Sequence, residues 1–465
     1  LSLRGRHIAL NDKHESEMFF WLMTRRHFQP KDRLVIWFNG GKGISHMDGV
    51  FMETGPYRPR ADGMLDINRF SWHDNAHVLF VDQPIGTGFS YTKDKYFHTT
   101  LPGVARDMRT FLREFFKVFP EYAESEIYMA GESYAGVYIP YIAKELLDGN
   151  KRPNTDLKVN LAGLALGNPW LDPYSHYTTY LDFAQKYNLI EGQYLDRARN
   201  VVQQCLQEFA RNSKRIKLDV CENIFNQILE FSYKTETNGT KSCMNIYDKR
   251  LRDPYPECGM AWPPILPHMY AYLARTDVVE AIHAQGKKKV WVECDPDVMK
   301  YLSDNDSPSS HLLLPDLLKQ IRVLLFSGDQ DVLCNHLGTE LAIERLTWNG
   351  ATGFQDAPRK LWSIDDKPAG LWQESRNLTY ARIFNGSHMV AVDKTRETYD
   401  MINRFMGMTS NGLASVVHGK VRVVMLMRHT AALCSQAHML QSKAHINANG
   451  DVVLSDGRKP ASGIL

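Results

Sequence analysis

The chain has 465 residues and carries 55 Lys and Arg against 53 Asp and Glu, so its formal net charge is only +2. This balance excludes net charge as a means of attracting nucleic acid or an anionic membrane, and we expect no nucleic-acid partner. The most apolar stretch, residues 416–427, contains His418, Lys420 and Arg422 and is shorter than the roughly 18 to 20 apolar residues of a membrane helix. We therefore expect no membrane segment in this chain.

The first elements in chain order are typical of a largely parallel sheet. Residues 31–175 alternate short apolar runs with helical patterns, as βαβ units do. Between two of the predicted strands, apolar residues recur every three or four positions and predict an amphipathic helix that Pro120 stops. The predicted strands cover residues 34–38, 77–81, 127–130 and 161–166, and the helix positions are Val104, Met108, Phe111, Leu112, Phe115 and Phe119.

The pattern changes twice further along the chain. Residues 176–310 carry longer helical segments, most of the cysteines and a proline-rich stretch, and we interpret them as a helical cap insertion. The sheet pattern returns at residues 322–327 and 378–383, so residues 1–175 and 311–408 are predicted to form one α/β core. Residues 409–465 are a C-terminal tail of unknown role, whose Asn-Gly and Asp-Gly turn signals are compatible with a small hairpin or a loosely held tail.

The sharpest local motif is Gly131-Glu132-Ser133-Tyr134-Ala135-Gly136, directly after the predicted strand 127–130 and before a helical run at residues 137–147. A strand-to-helix elbow with small flanking residues exposes a serine hydroxyl at the carboxyl edge of a sheet, which makes Ser133 a candidate nucleophile. Taken alone, the motif is as often an ordinary turn as a nucleophile.

Two later segments provide the context that the motif lacks. Asp329 and Asp331 follow the predicted strand 322–327, and His388 lies on a loop after the predicted strand 378–383. The order serine, aspartate, histidine is that of the α/β hydrolases, in which the imidazole takes the serine proton and the carboxylate orients the imidazole. Spacing alone does not choose between the two aspartates.

Together with further motifs, these residues carry a family resemblance that covers nearly all of residues 5–408. The motifs are Phe19-Phe20-Trp21-Leu22, residues 34–57, 81–91, 131–136 and 247–260, Gly328-Asp329-Gln330-Asp331 with Cys334-Asn335, and His388-Met389-Val390. The sequence resembles the serine carboxypeptidases, and within them the fungal pheromone-processing type, which trims basic residues from the carboxyl ends of peptides. The resemblance implies an α/β-hydrolase fold with a central, mostly parallel sheet and a helical cap.

The resemblance also implies roles for individual residues. Ser133 would be the nucleophile, Asp331 the acid and His388 the base, while the backbone N–H groups of Gly41 and Tyr134 would hold the oxyanion. The family binds the free carboxylate of its substrate with an asparagine and two glutamates, which match Asn39, Glu53 and Glu132. Two carboxyls can face a third only when protons are shared, so we expect raised, coupled pKa values there.

The cysteines and the loop around Gly41 show where the sequence departs from the family. The resemblance implies the disulfides Cys205–Cys221 and Cys243–Cys258 and leaves Cys294, Cys334 and Cys434 unpaired. Cys294 loses its usual partner because Ile44 replaces a cysteine. Lys42 replaces a proline and His46 a serine in the same loop, so reduced activity is an alternative outcome.

The remaining features concern location and ligands. Asn238 and Asn377 lie in glycosylation sequons, and the cysteines favour the secretory pathway: the Golgi or trans-Golgi lumen, the vacuole or the outside of the cell. We find no signal-peptide pattern and no membrane anchor in the sequence. We expect no metal site, since the sequence contains no Cys-x-x-Cys pair and the reaction needs no metal or cofactor.

The sequence therefore predicts a serine carboxypeptidase that removes C-terminal residues, preferably Lys or Arg, from peptides through an acyl-enzyme at Ser133. Two alternatives stay open. The first is an esterase or acyltransferase on the same scaffold, against which the retained Asn39, Glu53 and Glu132 argue. The second is a catalytically impaired homologue that acts as a binding protein, for which Lys42, Ile44 and His46 are the evidence. The sequence does not predict an oligomeric state.

Overall fold

The computed structural model describes residues 3–287, 290–303, 307–355, 357–408, 444–446 and 452–454. The chain divides into two units, Leu1–Gly412 and Leu413–Leu465. In the second unit, the strands Ala444–Ile446 and Val452–Leu454 pair in antiparallel fashion, and the rest of the predicted tail at 409–465 lies outside the described residues.

The strands of the first unit, in chain order, are β1 (Leu3–Asn11), β2 (Ser16–Met23), β3 (Arg33–Phe38), β4 (Tyr57–Pro59), β5 (Leu65–Ile67), β6 (His77–Val81), β7 (Glu126–Glu132), β8 (Leu161–Gly167), β9 (Lys234–Thr235), β10 (Lys241–Met244), β11 (Arg252–Pro254), β12 (Arg322–Gly328), β13 (Thr347–Trp348), β14 (Ala351–Thr352), β15 (Lys360–Ile364), β16 (Lys367–Ser375) and β17 (Leu378–Ile383).

The α-helices are α1 (Met47–Phe51), α2 (Leu101–Val118), α3 (Ala135–Asn150), α4 (Pro173–Lys186), α5 (Gly192–Arg211), α6 (Asp219–Phe231), α7 (Leu266–Leu273), α8 (Thr276–Ala281), α9 (Pro296–Tyr301), α10 (Leu314–Leu318), α11 (His336–Arg345), α12 (Val390–Asp393) and α13 (Thr395–Phe405). Short 3₁₀ helices lie at Asp12–His14, Trp72–Asp74, Pro120–Tyr122 and Ser310–Leu313.

Ten strands form the central sheet in the order β1-β2-β6-β3-β7-β8-β12-β17-β16-β15. The six inner strands, from β6 to β17, are parallel, and antiparallel strands extend the sheet at both edges. Every residue of β3 is buried, as expected for a strand covered on both faces. This arrangement confirms the predicted α/β-hydrolase fold. The six strands predicted from the sequence all lie within one or two residues of their positions in the sheet.

The amphipathic helix predicted between two strands is α2. It begins after Thr100, whose side chain accepts a hydrogen bond from the N–H of Gly103, and it ends just before Pro120. Its apolar stripe packs against the sheet and against α3, so it belongs to the core. The buried positions of the stripe are Val104, Met108, Phe111, Leu112 and Phe115.

Helices α4, α5 and α6 pack on one another around a second apolar cluster that includes Tyr177, Phe183 and Ile224. Both disulfides implied by the resemblance are present. Cys205–Cys221 joins α5 to α6, and Cys243–Cys258 links β10 to the loop after β11. The predicted boundaries between core and cap, at residues 176 and 310, stay a prediction. Among the described residues, no helix is long and apolar enough to cross a membrane.

The two glycosylation candidates differ in their surroundings. Asn238 is exposed on the turn between β9 and β10. Asn377 is also exposed, but its side-chain nitrogen, where a glycan would be attached, donates a hydrogen bond to the carbonyl of Leu318 at 2.9 Å. The structure therefore favours Asn238 as an acceptor, and both sites stay predictions.

We predict that replacing Cys205 and Cys221 by Ala lowers the free energy of unfolding by about 3 kcal/mol, because a crosslink with this loop length restricts the unfolded chain to that extent. Urea unfolding measures the change. The unpaired Cys294 offers the matched control, and Cys294→Ala should leave the unfolding midpoint near that of the wild type. Equal midpoints for all three proteins would contradict a stabilising role of this disulfide.

Candidate active site

Ser133 occupies a sharp elbow between β7 and α3 and has a φ of +57°, in the left-handed region that non-glycine residues rarely adopt. Neighbouring backbone holds the residue in this conformation. Its N–H donates to the carbonyl of Gly167 at 2.9 Å, and its own carbonyl accepts from the N–H groups of Gly136 and Trp170, each at 2.9 Å. The elbow therefore fixes the direction of the Ser133 hydroxyl at the carboxyl edge of the sheet.

Glycine is required where the backbone of β3 and its following loop approach this elbow. A Cβ on Gly40 would lie 2.3 Å from the Cβ of Ser133 and 2.9 Å from its Oγ. A Cβ on Gly131 would lie 2.3 Å from the carbonyl oxygen of Phe38. Both contacts are far too short, so larger side chains would displace the serine.

The histidine loop after β17 meets the aspartate loop after β12. The Nδ1 atom of His388 lies 2.7 Å from the Oδ2 atom of Asp331, and both side chains are buried. Asp331 also accepts hydrogen bonds from the side chain of Asn168 at 2.6 Å and from the N–H groups of Leu333 and Cys334 at 2.9 and 3.2 Å. These donors fix the orientation of the carboxyl group that faces the imidazole.

The structure brings Asp331, and not Asp329, to His388. The Oδ1 atom of Asp329 instead accepts hydrogen bonds from the N–H of Asn385 at 2.8 Å and from the side chain of Gln330 at 2.7 Å. His388 is held from the other side by Tyr247, whose carbonyl accepts its N–H at 2.8 Å and whose ring lies 5.0 Å from the imidazole. The catalytic roles themselves stay predictions.

Ser133 and His388 line one cavity of about 480 Å³, together with the two residues predicted to hold the oxyanion, Gly41 and Tyr134. Gly41 has a φ of +75°, and its carbonyl accepts the hydroxyl of Tyr138 at 3.0 Å. Tyr134 lies at the N-terminus of α3, where backbone N–H groups lack helical partners and favour an anion. The cavity therefore suits a developing oxyanion beside Ser133.

The three residues predicted to bind a substrate carboxylate lie together beside Ser133. The side-chain nitrogen of Asn39 donates to Oε1 of Glu53 at 2.6 Å, and its oxygen accepts from the indole N–H of Trp37 and the N–H of Gly49, each at 3.0 Å. These two donors orient the amide. Glu53 and Glu132 are both buried and share a hydrogen bond between their carboxyl groups.

Burial is the largest cause of raised pKa values in this pair. It raises the pKa of Glu53, and it raises that of Glu132 further, because the charge of Glu53 acts in the same direction. The hydrogen bond between them lowers the pKa of Glu53 and raises that of Glu132, so Glu132 holds the proton. The pKa values of the two carboxyls are thus raised and depend on each other, as expected from the sequence.

Sequence reasoning missed a second acidic pair in the same cavity, Asp48 and Glu293. Burial, followed by the charges of Glu293 and Glu53, raises the pKa of Asp48 well above its usual value, and Asp48 also forms a hydrogen bond with Glu293. The hydroxyl of Tyr270 donates to Glu293 at 2.5 Å. No sequence signal joins these residues, because single acids on distant segments form no motif. Both line the cavity, to which they add a second pair of acidic groups.

The remaining cysteines lie near the site. Cys294 and Cys334 are free thiols, as the resemblance implies, whereas Cys434 lies outside the described residues. The ligand atoms of Asp331, Cys334 and His388 lie within 4.8 Å of one another, and this cluster could hold a metal by distance. Burial raises the pKa of Cys334 well above its usual value, so its thiol is a poor metal ligand at neutral pH. The geometry suits an acid–base pair better than a metal centre.

Comparisons with known proteins agree with this geometry. A model of the family described as serine carboxypeptidase matches residues 3–408. The chain is 43% identical over 416 residues to the pheromone-processing carboxypeptidase KEX1 of Pyricularia oryzae, covering 88% of this chain and 66% of that protein. The corresponding protein of Podospora anserina is 44% identical over 416 residues, with 88% and 71% covered. The chain thus spans about two thirds of the length of these curated relatives.

A solved structure is similar over the same region. The prohormone-processing carboxypeptidase KEX1(DELTA)P from Saccharomyces cerevisiae matches with a TM-score of 0.82 at 34% identity. The match covers 87% of this chain and 91% of that chain. The resemblance stated from the sequence motifs is therefore confirmed, and it extends from the order of the motifs to the arrangement of the sheet.

Asp331→Asn should lower kcat by about 10⁴-fold, because an amide in that position stabilises the wrong tautomer of His388. Steady-state kinetics on a peptide substrate measures the loss. Asp329→Asn is the matched control, since it makes the same change two residues away on the same loop and should keep kcat close to the wild-type value. Equal losses in the two variants would contradict the assignment of Asp331.

The raised pKa values predict how substrate binding depends on pH. As pH rises through the pKa of the Glu53–Glu132 pair, the shared proton is lost and negative charge faces the substrate carboxylate, so KM should rise about tenfold per pH unit above that pKa. Glu132→Gln keeps a donor at every pH and should flatten this rise. KM for one peptide, measured from acidic to alkaline pH, checks both statements, and a flat wild-type profile would refute them.

Proposed function

Because the chain belongs to the serine carboxypeptidase family, we propose that it hydrolyses the last peptide bond of peptides through an acyl-enzyme at Ser133. The observation that carries the proposal is that a residue for binding a carboxylate and the candidate nucleophile are neighbours in the chain. Glu132, which holds a buried proton for a carboxylate, directly precedes Ser133, the residue at the strained elbow. A peptide whose free carboxyl end is bound by Glu132 would therefore have its last peptide bond close to Ser133.

The reaction would begin with attack of the Ser133 oxygen on the carbonyl carbon of the last peptide bond. His388 would accept the hydroxyl proton at Nε2, because its Nδ1 atom is occupied by Asp331. The N–H groups of Gly41 and Tyr134 would stabilise the oxyanion. His388 would then pass the proton to the leaving amine, and a water molecule, deprotonated in the same way, would release the peptide from Ser133.

Selection for a carboxyl end follows from the buried proton. A carboxylate entering the site would accept hydrogen bonds from the proton of Glu132 and from the amide of Asn39. An internal stretch of peptide offers no anion to accept these hydrogen bonds, so it would gain less free energy of binding in this buried site. The same argument separates peptide hydrolysis from the esterase and acyltransferase alternatives, which have no use for a carboxylate site of three residues.

A preference for C-terminal Lys or Arg is the finer part of the proposal. Asp48 and Glu293 line the cavity together with Asn39, and the charged groups that raise the pKa of Asp48 are acids. A lysine or arginine side chain bound beside this hydrogen-bonded pair would supply a positive charge next to the acids. The curated relatives are called pheromone-processing and the solved relative prohormone-processing, and we extend a related processing role to this chain.

The secretory pathway is the compartment that fits these features. Disulfides persist in oxidising compartments, and this chain holds two of them in and beside α5, α6 and β10. The exposed Asn238 would be available for glycosylation there. We therefore propose a lumenal or extracellular site of action: the Golgi, the vacuole or the outside of the cell.

The proposed activity is tested by incubating the chain with peptides that end in Lys, Arg, Leu or Phe and following the carboxyl end by mass spectrometry. We expect loss of single residues, fastest for Lys and Arg, and no loss with Ser133→Ala. Shortening that also occurs with Ser133→Ala would remove the nucleophile assignment. No shortening of any peptide by the wild type would favour the catalytically impaired alternative.

The Lys and Arg preference has its own test. Asp48→Asn and Glu293→Gln should each raise KM for a Lys-ending peptide by about 10- to 100-fold, the range expected for a lost hydrogen bond to a charged group. The matched peptide ending in Leu should bind with unchanged or lower KM, because the acids do not assist an apolar side chain. Equal effects on both peptides would show that these acids support the fold of the cavity and not its selectivity.

A further inference from the structure

The loop that carries Gly41 has lost two features of the family pattern, a proline at Lys42 and a cysteine at Ile44, yet it is held in a defined conformation. We call residues 40–46 the oxyanion loop. We call residues 291–302, which include α9, the clamp segment. The two run past each other in antiparallel fashion, with Ile44 opposite Cys294.

Backbone hydrogen bonds join the two segments on both sides of this residue pair. The N–H of Ser45 donates to the carbonyl of Glu293 at 2.7 Å, and the N–H of Asp295 donates to the carbonyl of Gly43 at 2.9 Å. Bonds that flank a pair in this way leave the pair itself without mutual hydrogen bonds, which brings the two side chains close together. The loop is therefore paired with the clamp segment as a short piece of sheet.

Close packing and side-chain hydrogen bonds also hold the oxyanion loop against the clamp segment. Gly43 has a φ of +78°, and a Cβ there would lie 2.8 Å from the carbonyl oxygen of Asp295 and 3.0 Å from the Cβ of Val298. The indole N–H of Trp291 donates to Oγ of Ser45 at 3.1 Å, and Ser45 donates in turn to Asp82 at 2.8 Å. Both ends of the pairing are thus fixed to buried groups.

The clamp segment is itself anchored. Asp295 caps α9 by accepting from the N–H groups of Asp297 and Val298 at 3.0 and 3.3 Å, and its other oxygen lies 3.6 Å from the ammonium of Lys287. Lys287 donates to the carbonyls of Gly86 and Gly88 at 2.8 and 2.7 Å, in the loop after β6. The clamp segment therefore connects the loop after β6 to the oxyanion loop.

Lys42 is the residue that ties these contacts to the proposed oxyanion donor. It follows Gly41 directly, and its ammonium donates to the carbonyl of Leu302, just after α9, at 3.1 Å. This hydrogen bond joins the last residue of the clamp segment to the residue that follows Gly41. Since Lys42 is half-buried beside the cavity, its stem also limits the movement of the loop.

We propose that the clamp segment holds the oxyanion loop without a covalent link, and that Lys42 is a positioning residue that sets the direction of the Gly41 N–H. This inference rests on the proposed function, because it concerns the group that stabilises the oxyanion. Lys42 thus replaces by hydrogen bonding a restraint that a disulfide between positions 44 and 294 would supply. The departures of this loop from the family pattern compensate for one another.

The test compares Lys42→Met, Lys42→Arg and Lys300→Met. Met removes the ammonium and keeps the stem, Arg keeps a donor, and Lys300 is an exposed lysine of the same clamp segment. We expect Lys42→Met to lower kcat on a Lys-ending peptide about tenfold with KM changed less than about twofold, because misplaced oxyanion donors act on the transition state. Lys42→Arg should recover most of kcat, and Lys300→Met should match the wild type.

A crosslink supplies the second arm. Opposed residues of this kind lie at a Cα separation suited to a disulfide. Ile44→Cys combined with Lys42→Met should therefore form a disulfide with Cys294 and regain most of the lost kcat. An unchanged kcat in Lys42→Met, a raised KM in its place, or no recovery by the crosslink once mass spectrometry shows it formed would each overturn the proposal.

A third readout does not need activity. The Sγ atom of Cys294 lies 4.0 Å from the carbonyl of Lys42, and the thiol is half-buried. A loosened oxyanion loop should let a maleimide label Cys294 severalfold faster in Lys42→Met than in the wild type, as followed by peptide mapping. If the wild type cleaves no peptide, the proposed function fails while the labelling rates still decide on the clamp. Equal labelling rates would overturn the clamp alone.

Discussion

A proton shared between Glu53 and Glu132 in a buried site is the constraint on which the rest of the arrangement depends. Both side chains are buried, so burial opposes the ionisation of both carboxyls and favours a proton on the pair. A site of this kind binds a third carboxylate by donating that proton to it. In the proposed reaction the nucleophile lies close to the bound carboxyl end, and Glu132 and Ser133 line the same cavity.

The parallel sheet places the other residues of the candidate site at its carboxyl edge. Asn39 follows β3, Ser133 follows β7, Asp331 follows β12 and His388 follows β17, and carboxyl ends of parallel strands meet at one edge. Segments outside the sheet complete the cavity. Tyr247 packs on the imidazole, and the segment around Glu293 contributes an acid to the cavity and pairs with the oxyanion loop. In the proposed function, the sheet edge carries the catalytic residues, and the surrounding segments determine the selectivity.

Much of this could be predicted from the sequence, because the inner strands are continuous apolar runs and the order of serine, aspartate and histidine is distinctive. The outer strands β1, β2, β15 and β16 are not among the predicted strands. Strands β1, β15 and β16 are partly exposed and lack such runs, whereas β2 is almost wholly buried and its apolar run served only as a family motif. The choice of Asp331 over Asp329 depends on which side chain reaches His388 in the folded chain, which spacing does not encode. The Asp48–Glu293 pair joins distant segments, so only the folded chain reveals it.

The most direct test of the shared proton is calorimetry of peptide binding to Ser133→Ala in buffers of different ionisation enthalpy. The account predicts uptake of about one proton per bound peptide near neutral pH, because a carboxylate entering beside Glu53 and Glu132 raises their pKa values further. The same peptide with an amidated carboxyl end should bind more weakly and take up no proton. Proton uptake that is absent for the free carboxylate, or equal for the two peptides, would contradict the account.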